Sequence, residues 1–141
     1  MEIKTRMIEE EVFESINESG LPVTIDMRSN DRRRHQNPPE LLLSALAACA
    51  AVDIVSILKK RKKEVDALNV ITSGTRRADY PRAFTDIHCE FVVTSGNVEK
   101  EELLKAAELS IEKYCTVASS LKSRITYSVK VQSKHRANPN T

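Results

Sequence analysis

The run from Leu41 to Leu58 constrains the fold more than any other stretch of this chain. Nearly every residue in it is apolar, and Ser44, Asp53 and Ser56 are the exceptions. Because a helix that is apolar almost all round must be buried, the run predicts a core helix. It is long enough to cross a membrane, but Asp53 opposes insertion, since a charge at mid-bilayer is costly. We therefore predict a buried helix and no membrane partner.

Residues at both ends of the run predict where this helix begins and ends. Asn37 is a good N-cap, Pro38 suits the first helical position, and the Glu40 carboxylate in the first turn suits the helix dipole. The basic run Lys59–Lys63 places cations where the dipole favours them. The predicted helix spans residues 38–63. The basic run is typical of a charged helix end, because no basic stripe extends along the rest of the chain.

Alternation of apolar and polar residues predicts strands on both sides of this helix. The predicted strands are residues 2–16 with a turn at the acidic residues 9–11, then 21–27, 68–75, 84–94 and 125–131. A second helix is predicted from about residue 98 to residue 121 by an apolar stripe at helical spacing. The resulting order, three strands, helix, two strands, helix and strand, is an α+β pattern. At 141 residues the chain fits one domain.

Composition narrows the function classes. With no Trp, 4% aromatic residues and a net charge of +2, the chain lacks the aromatic platforms and basic surface of a nucleic-acid binder. The first residues are already charged and no apolar run follows them, so no secretory signal is predicted. We predict a cytoplasmic protein without a nucleic-acid partner.

Three cysteines are the candidates for chemistry: Cys49, Cys89 and Cys115. In a cytoplasmic protein they are expected to be thiols, and their spacing matches no zinc signature. Cys89 falls on the apolar side of a predicted strand, which favours a packing role. We predict no metal site and no cofactor.

Cys49 lies on the one polar seam of the first helix, which it shares with Asp53, Ser56 and Lys60. A free cysteine at such a position packs well among alanines, so a purely structural role is one interpretation. A reactive Cys49 needs a positive charge near its sulfur to favour the thiolate, and mid-helix geometry does not supply one. The candidate cations are those of residues 32–34 in the loop before the helix, Arg32, Arg33 and Arg34, or a residue of a partner subunit.

Cys115 occupies an equivalent position on the second predicted helix, again among apolar residues. Two cysteines on two buried helices form a disulfide only if their Cα atoms come within about 7 Å. The sequence leaves that distance open.

Three segments resemble the OsmC/Ohr family of thiol-dependent hydroperoxide reductases. They are NPPELLLSALAAC at residues 37–49, DIVSIL at 53–58 and EKYCTVA at 112–118. The resemblance runs from the first strands to Val131 and is strongest for the OsmC-like branch, which carries the K-Y-C-[ST]-V-A signature.

The resemblance implies an intertwined homodimer with two central helices wrapped by sheets. It implies a single OsmC-like domain over residues 1–132, and the polar residues 133–141 predict a frayed tail. Cys49 would attack an organic hydroperoxide and Cys115 would resolve the sulfenic acid as a disulfide. The family's reductants are dithiols, notably lipoyl groups.

The chain departs from the family pattern at two places. Pro39 stands where family peroxidases have a glutamate, with Glu40 one residue late, and the acidic residues 9–11 stand where an arginine is expected. Two hypotheses follow. The first is a peroxidase for small organic or lipid hydroperoxides, in which Glu40 and the loop arginines are the candidate residues that assist Cys49. The second is a non-catalytic protein that binds an apolar small ligand at the dimer interface.

Overall fold

The computed structural model describes residues 1–133 and divides into two compact units, one ending at Leu42 and one beginning at Leu43. The elements are β1 (Ile3–Glu9), β2 (Val12–Asn17), β3 (Pro22–Asp26), α1 (Pro38–Lys60), β4 (Ala67–Arg76), β5 (Phe84–Thr94), α2 (Lys100–Leu109), a π turn (Ser110–Tyr114), α3 (Thr116–Ser120) and β6 (Arg124–Gln132). This order confirms the predicted α+β class. The single domain over residues 1–132 stays a prediction, and most of the predicted tail, residues 134–141, lies outside the described residues.

In the first unit, β1, β2 and β3 form an antiparallel meander. The acidic residues 9–11 make the tight turn between β1 and β2, as predicted, and Glu11 adopts a φ of 62° there. Asp26, fully buried at the end of β3, accepts hydrogen bonds from the Arg28 guanidinium at 2.7 and 2.9 Å. The backbone N–H of Arg34 donates to the same carboxylate at 2.8 Å. Asp26 therefore organises the loop that carries Arg32, Arg33 and Arg34.

In the second unit, β5 is the central strand, antiparallel to β4 and parallel to β6. A parallel neighbour requires a crossover, which α2, the π turn and α3 provide. The core is built from the inward faces of β5, α1 and α2. Its fully buried members on these elements are Ile87, Cys89, Phe91, Val93, Leu46, Ala50, Ile54, Leu58, Leu103, Ala106 and Ala107.

Helix α1 is buried on one side only, which differs from the prediction of a helix covered all round. The residues Leu46, Ala50, Ile54 and Leu58, at spacings of four, form the buried side. On the remaining surface Val52 is 65% exposed, because within the second unit a sheet and a helix pack against only one side of α1. The helix also ends three residues before the predicted Lys63. Lys62 there adopts a left-handed φ of 60°, which an α-helix does not continue through.

The second predicted helix is interrupted. Instead of one helix to residue 121, α2 passes into the π turn, and Cys115 adopts an extended backbone, with φ −70° and ψ 110°. The Cys115 N–H donates to the Ser110 carbonyl at 2.7 Å, which closes the wide turn. The short α3 then starts with Cys115 as its N-cap. Single π turns inside helices often occur at functional sites.

Candidate functional site

The Cys49 thiol lies close enough to Cys115 to raise the pKa of the Cys115 thiol, through hydrogen bonding and charge. Cys49 projects from the middle of α1 and is half-buried, whereas Cys115 is 2% exposed and lies at the break between the π turn and α3. The structure thus brings together the two cysteines whose distance the sequence left open. One thiol is accessible and the other is enclosed.

The break at Cys115 gives its sulfur a second partner. The Ala118 N–H donates to Cys115 Sγ at 3.4 Å, as an N-cap interaction of α3. Burial, followed by the hydrogen bond and the charge of Cys49, raises the pKa of Cys115 to about 11, although the N–H groups of Ala118 and Val117 act in the opposite direction. Cys115 is therefore a neutral thiol at physiological pH.

Ser110 joins the π turn to α1. Its hydroxyl, fully buried, lies 3.1 Å from both the Ala50 carbonyl oxygen and Asp53 Oδ2. Ala50 follows Cys49 directly and Asp53 is one helical turn further along. Since the Ser110 carbonyl also accepts from the Cys115 N–H, one residue is bonded to both cysteine-bearing segments.

Ser110 was missed in the sequence, where it is a lone hydroxyl inside the apolar stripe of the second predicted helix. A small polar residue at a core position five residues before a cysteine was the available signal. Only the π turn places its hydroxyl against α1, and the helical pattern does not predict that turn.

The loop arginines form bonds within the first unit. Arg33 Nη1 lies 3.4 Å from Glu40 Oε1, and Arg33 Nε donates to the Arg28 carbonyl at 3.1 Å. Arg34 Nη1 donates to the Arg33 carbonyl, and Arg32 is exposed. Of the predicted supporting residues, the structure brings Arg33 and Glu40 together.

Glu40 has a capping role at the start of α1. Its carboxylate accepts from the Asn37 N–H at 3.2 Å, and its own N–H donates to Asn37 Oδ1 at 2.9 Å. Glu40 precedes Cys49 by nine residues in the chain.

Cys89 lies fully buried on β5, and burial raises the pKa of its thiol. This is the packing position that the alternation predicted. Among residues 1–133, no three His, Cys, Asp or Glu side chains gather closely enough to hold a metal ion.

A groove with a volume of about 620 Å³ lies between α1 and the segment from α2 to the π turn. Ile57, Leu109 and Tyr114 supply apolar walls, and Lys60, Arg61 and Lys105 supply three cations. Tyr114 directly precedes Cys115.

A family model described as OsmC-like protein matches residues 29–130. The chain belongs to the OsmC-like family. This OsmC-like protein is 35% identical to protein YhfA of Escherichia coli K12 over 133 aligned residues. The alignment covers 93% of this chain and 98% of YhfA.

Solved structures share the fold of this OsmC-like protein. A hypothetical protein from Aquifex aeolicus matches with a TM-score of 0.83 and 30% identity, covering 94% of this chain and 96% of its own. The organic hydroperoxide resistance protein OhrB of Bacillus subtilis matches with a TM-score of 0.61 and 14% identity, over 94% and 98% of the two chains. At that identity the likeness to OhrB concerns the fold alone.

Proposed function

We propose that this protein is a cysteine-dependent reductase of small organic or lipid hydroperoxides, with Cys49 as the peroxidatic residue and Cys115 as the resolving residue. The observation that carries the proposal is the pairing of an accessible Cys49 thiol with an enclosed, protonated Cys115 thiol. Membership of a family with hydroperoxide-resistance proteins among its structural relatives supports it.

In the proposed reaction the Cys49 thiolate attacks the terminal oxygen of the hydroperoxide. The O–O bond breaks, the alkoxide leaves as an alcohol after taking a proton, and Cys49 becomes a sulfenic acid. The Cys115 sulfur then attacks the Cys49 sulfur, and the hydroxyl leaves with the Cys115 proton as water. The product is a Cys49–Cys115 disulfide, which a dithiol of the lipoyl type returns to two thiols.

The apolar side of α1 left exposed by this chain supports two further parts of the proposal. Ala45, Ala48 and Val52 surround Cys49 on that side and present carbon atoms to whatever approaches the thiol. Such a surface favours an organic hydroperoxide over hydrogen peroxide. It also favours a homodimer in which two α1 helices cover one another. We propose a cytoplasmic location for this homodimer.

The test measures reduction of cumene hydroperoxide with a dithiol as the electron donor. We expect turnover by the native protein and none by Cys49→Ser. Cys89→Ala is the matched control, because it removes a thiol from the core without touching the pair, and it should retain activity. Equal turnover by the native protein and Cys49→Ser would contradict the proposal.

A second candidate function is binding of an apolar ligand without chemistry. The observation that favours it is that the Glu40 carboxylate caps α1 and pairs with Arg33, so both charged groups already have partners within the first unit. This candidate predicts that native protein and Cys49→Ser bind such a ligand equally and that neither reduces the hydroperoxide.

A further inference from the structure

The groove between α1 and α2 has a charged end and an end lined by residues that are close to Cys49 and Cys115 in the chain. Lys60 and Arg61, from the last turn of α1 and just beyond it, are exposed at the charged end, together with Lys105 of α2. The opposite end is marked by Asp53, one turn from Cys49, and by Tyr114, which adjoins Cys115. The groove therefore runs from residues that neighbour the two cysteines in the chain towards a cluster of cations.

The cations outnumber the carboxylates that face them. Lys105 Nζ lies 3.6 Å from Glu108 Oε2, an exposed pair that water screens. Glu102 is within the field of Arg61, but its carboxylate is bonded to Lys63 at 3.1 Å. The Asp53 carboxylate is bonded to Ser110 at the other end. The charged end is thus suited to an anion.

The length of the groove limits what this anion is attached to. Lys60 follows Cys49 by eleven residues, which corresponds to about 16 Å along the helix axis. At roughly 1.2 Å per bond in an extended chain, a ligand that spans this distance has about 13 bonds between its reactive atom and its anionic group. A compact anionic thiol such as a free cysteine derivative is too short.

We propose that this groove binds the phosphate end of an elongated thiol of the phosphopantetheine class, which acts beside a dithiol as a second reductant of the Cys49–Cys115 disulfide. A pantetheine arm separates its thiol from its phosphate by the required number of bonds. Three cations, one of them a guanidinium that bonds two oxygens at once, match a phosphate better than a single carboxylate. Ser56, which lines the groove, and Asp53, at the end opposite the cations, offer hydrogen-bond partners to the amides of such an arm. The reductive role rests on the proposed function; the binding site does not.

The reductive step balances as thiol–disulfide exchange. The thiolate of one ligand attacks the protein disulfide, forms a mixed disulfide and releases one cysteine, which takes up a proton. A second ligand thiol attacks the mixed disulfide and releases the other cysteine. Two ligand thiols are oxidised to one disulfide while the protein disulfide is reduced to two thiols.

The test uses calorimetric binding to the full-length Cys49→Ser/Cys115→Ser protein, in which no exchange chemistry takes place. The probes are coenzyme A and pantetheine, which share the arm; coenzyme A adds the phosphates and an adenosine, and the charge variants below separate the phosphate contribution from the adenosine contribution. We expect coenzyme A to bind at least tenfold more tightly than pantetheine, with an affinity that falls as salt is raised. Lys60→Gln/Arg61→Gln in the same background should weaken coenzyme A at least tenfold and leave pantetheine unchanged.

The matched control is Lys59→Gln/Lys122→Gln, which removes the same charge at two exposed positions outside the groove and should change the affinity less than twofold. Binding of an acyl carrier protein that bears the same arm is measured in parallel. This comparison shows whether the site prefers a carrier-bound thiol or free coenzyme A. Tighter binding of either one supports the shared phosphopantetheine chemistry. Three results would each overturn the proposed site. The first is equal affinity for coenzyme A and pantetheine, and the second is tighter binding of laurate than of coenzyme A. The third is loss of self-association in Lys60→Gln/Arg61→Gln. Because binding is measured without the cysteines, these results are independent of peroxidase activity.

Discussion

The Ser110 hydroxyl lies 3.1 Å from Asp53 Oδ2, so a buried serine of the π turn is bonded to the helix that carries Cys49. Ser110 is also the residue whose carbonyl accepts from the Cys115 N–H. The relative position of the two thiols therefore depends on a short chain of hydrogen bonds that passes through Ser110. Substitution of Ser110 can therefore be followed by two measurements, the free energy of unfolding and the rate of disulfide formation.

Ser110→Ala should slow formation of the Cys49–Cys115 disulfide by about tenfold after one equivalent of peroxide, because the π turn loses its bond to α1. Loss of a buried hydrogen bond should also lower the free energy of unfolding by about 1–3 kcal/mol. Asp53→Asn keeps an oxygen that accepts from Ser110 and should retain the native rate. Thiol titration and urea unfolding measure the two effects.

Ser120→Ala is the matched control for that experiment. Its hydroxyl donates to the Thr116 carbonyl at an exposed position of α3, so the substitution removes a hydrogen bond without touching α1. If Ser110→Ala formed the disulfide at the native rate while losing stability, Ser110 would have a packing role only.

Cys115 should resist alkylation in the native protein far above neutral pH. Its pKa of about 11 keeps the thiol protonated, and the reactive thiolate appears only as the pH rises towards that value. Iodoacetamide labelling from pH 7 to pH 9, followed by peptide mass spectrometry, should therefore modify Cys49 in preference to Cys115. Labelling of Cys115 ahead of Cys49 at pH 7 would contradict the assignment of roles.

Asp26 should make stability fall in acid. The Arg28 guanidinium holds the pKa of this carboxyl well below its usual range, so the folded state favours the ionised form. The contribution is complete above the unfolded-state pKa of about 4 and is lost as the pH falls below that value. Urea unfolding between pH 6 and pH 2 should show a steeper loss for the native protein than for Asp26→Asn. If the stability of the native protein and of Asp26→Asn fell in parallel with pH, Asp26 would be excluded as the cause of the acid sensitivity.

The sequence predicted the α+β class, the strands and α1, because alternation and apolar spacing are local signals. Two features depended on tertiary context. Whether α1 is covered on one side or all round depends on how much surface other segments supply, and composition alone indicated only that it is apolar. The π turn depends on Ser110 finding acceptors on α1, so an apolar stripe that reads as one helix is broken at Cys115.

In the candidate site, too, some features followed from the sequence and others depended on tertiary context. Cys49 and Cys115 were identified from their positions and from the family resemblance, whereas the effect of Cys49 on the pKa of Cys115 required the fold. The loop arginines and Glu40 were predicted as supporting residues because of their charge, and the structure shows that Asp26 and the helix cap determine where they lie. Treatment with peroxide should show whether Cys49 and Cys115 form a disulfide or only lie close together.

The most direct test of the account is peptide mass spectrometry of the native protein under non-reducing conditions after one equivalent of cumene hydroperoxide. The account predicts a linked pair of peptides containing Cys49 and Cys115, with Cys89 still a thiol. In Cys115→Ser, Cys49 should stop at the sulfenic acid, trapped by dimedone. Thiols at both Cys49 and Cys115 after treatment with excess hydroperoxide would contradict the central claim.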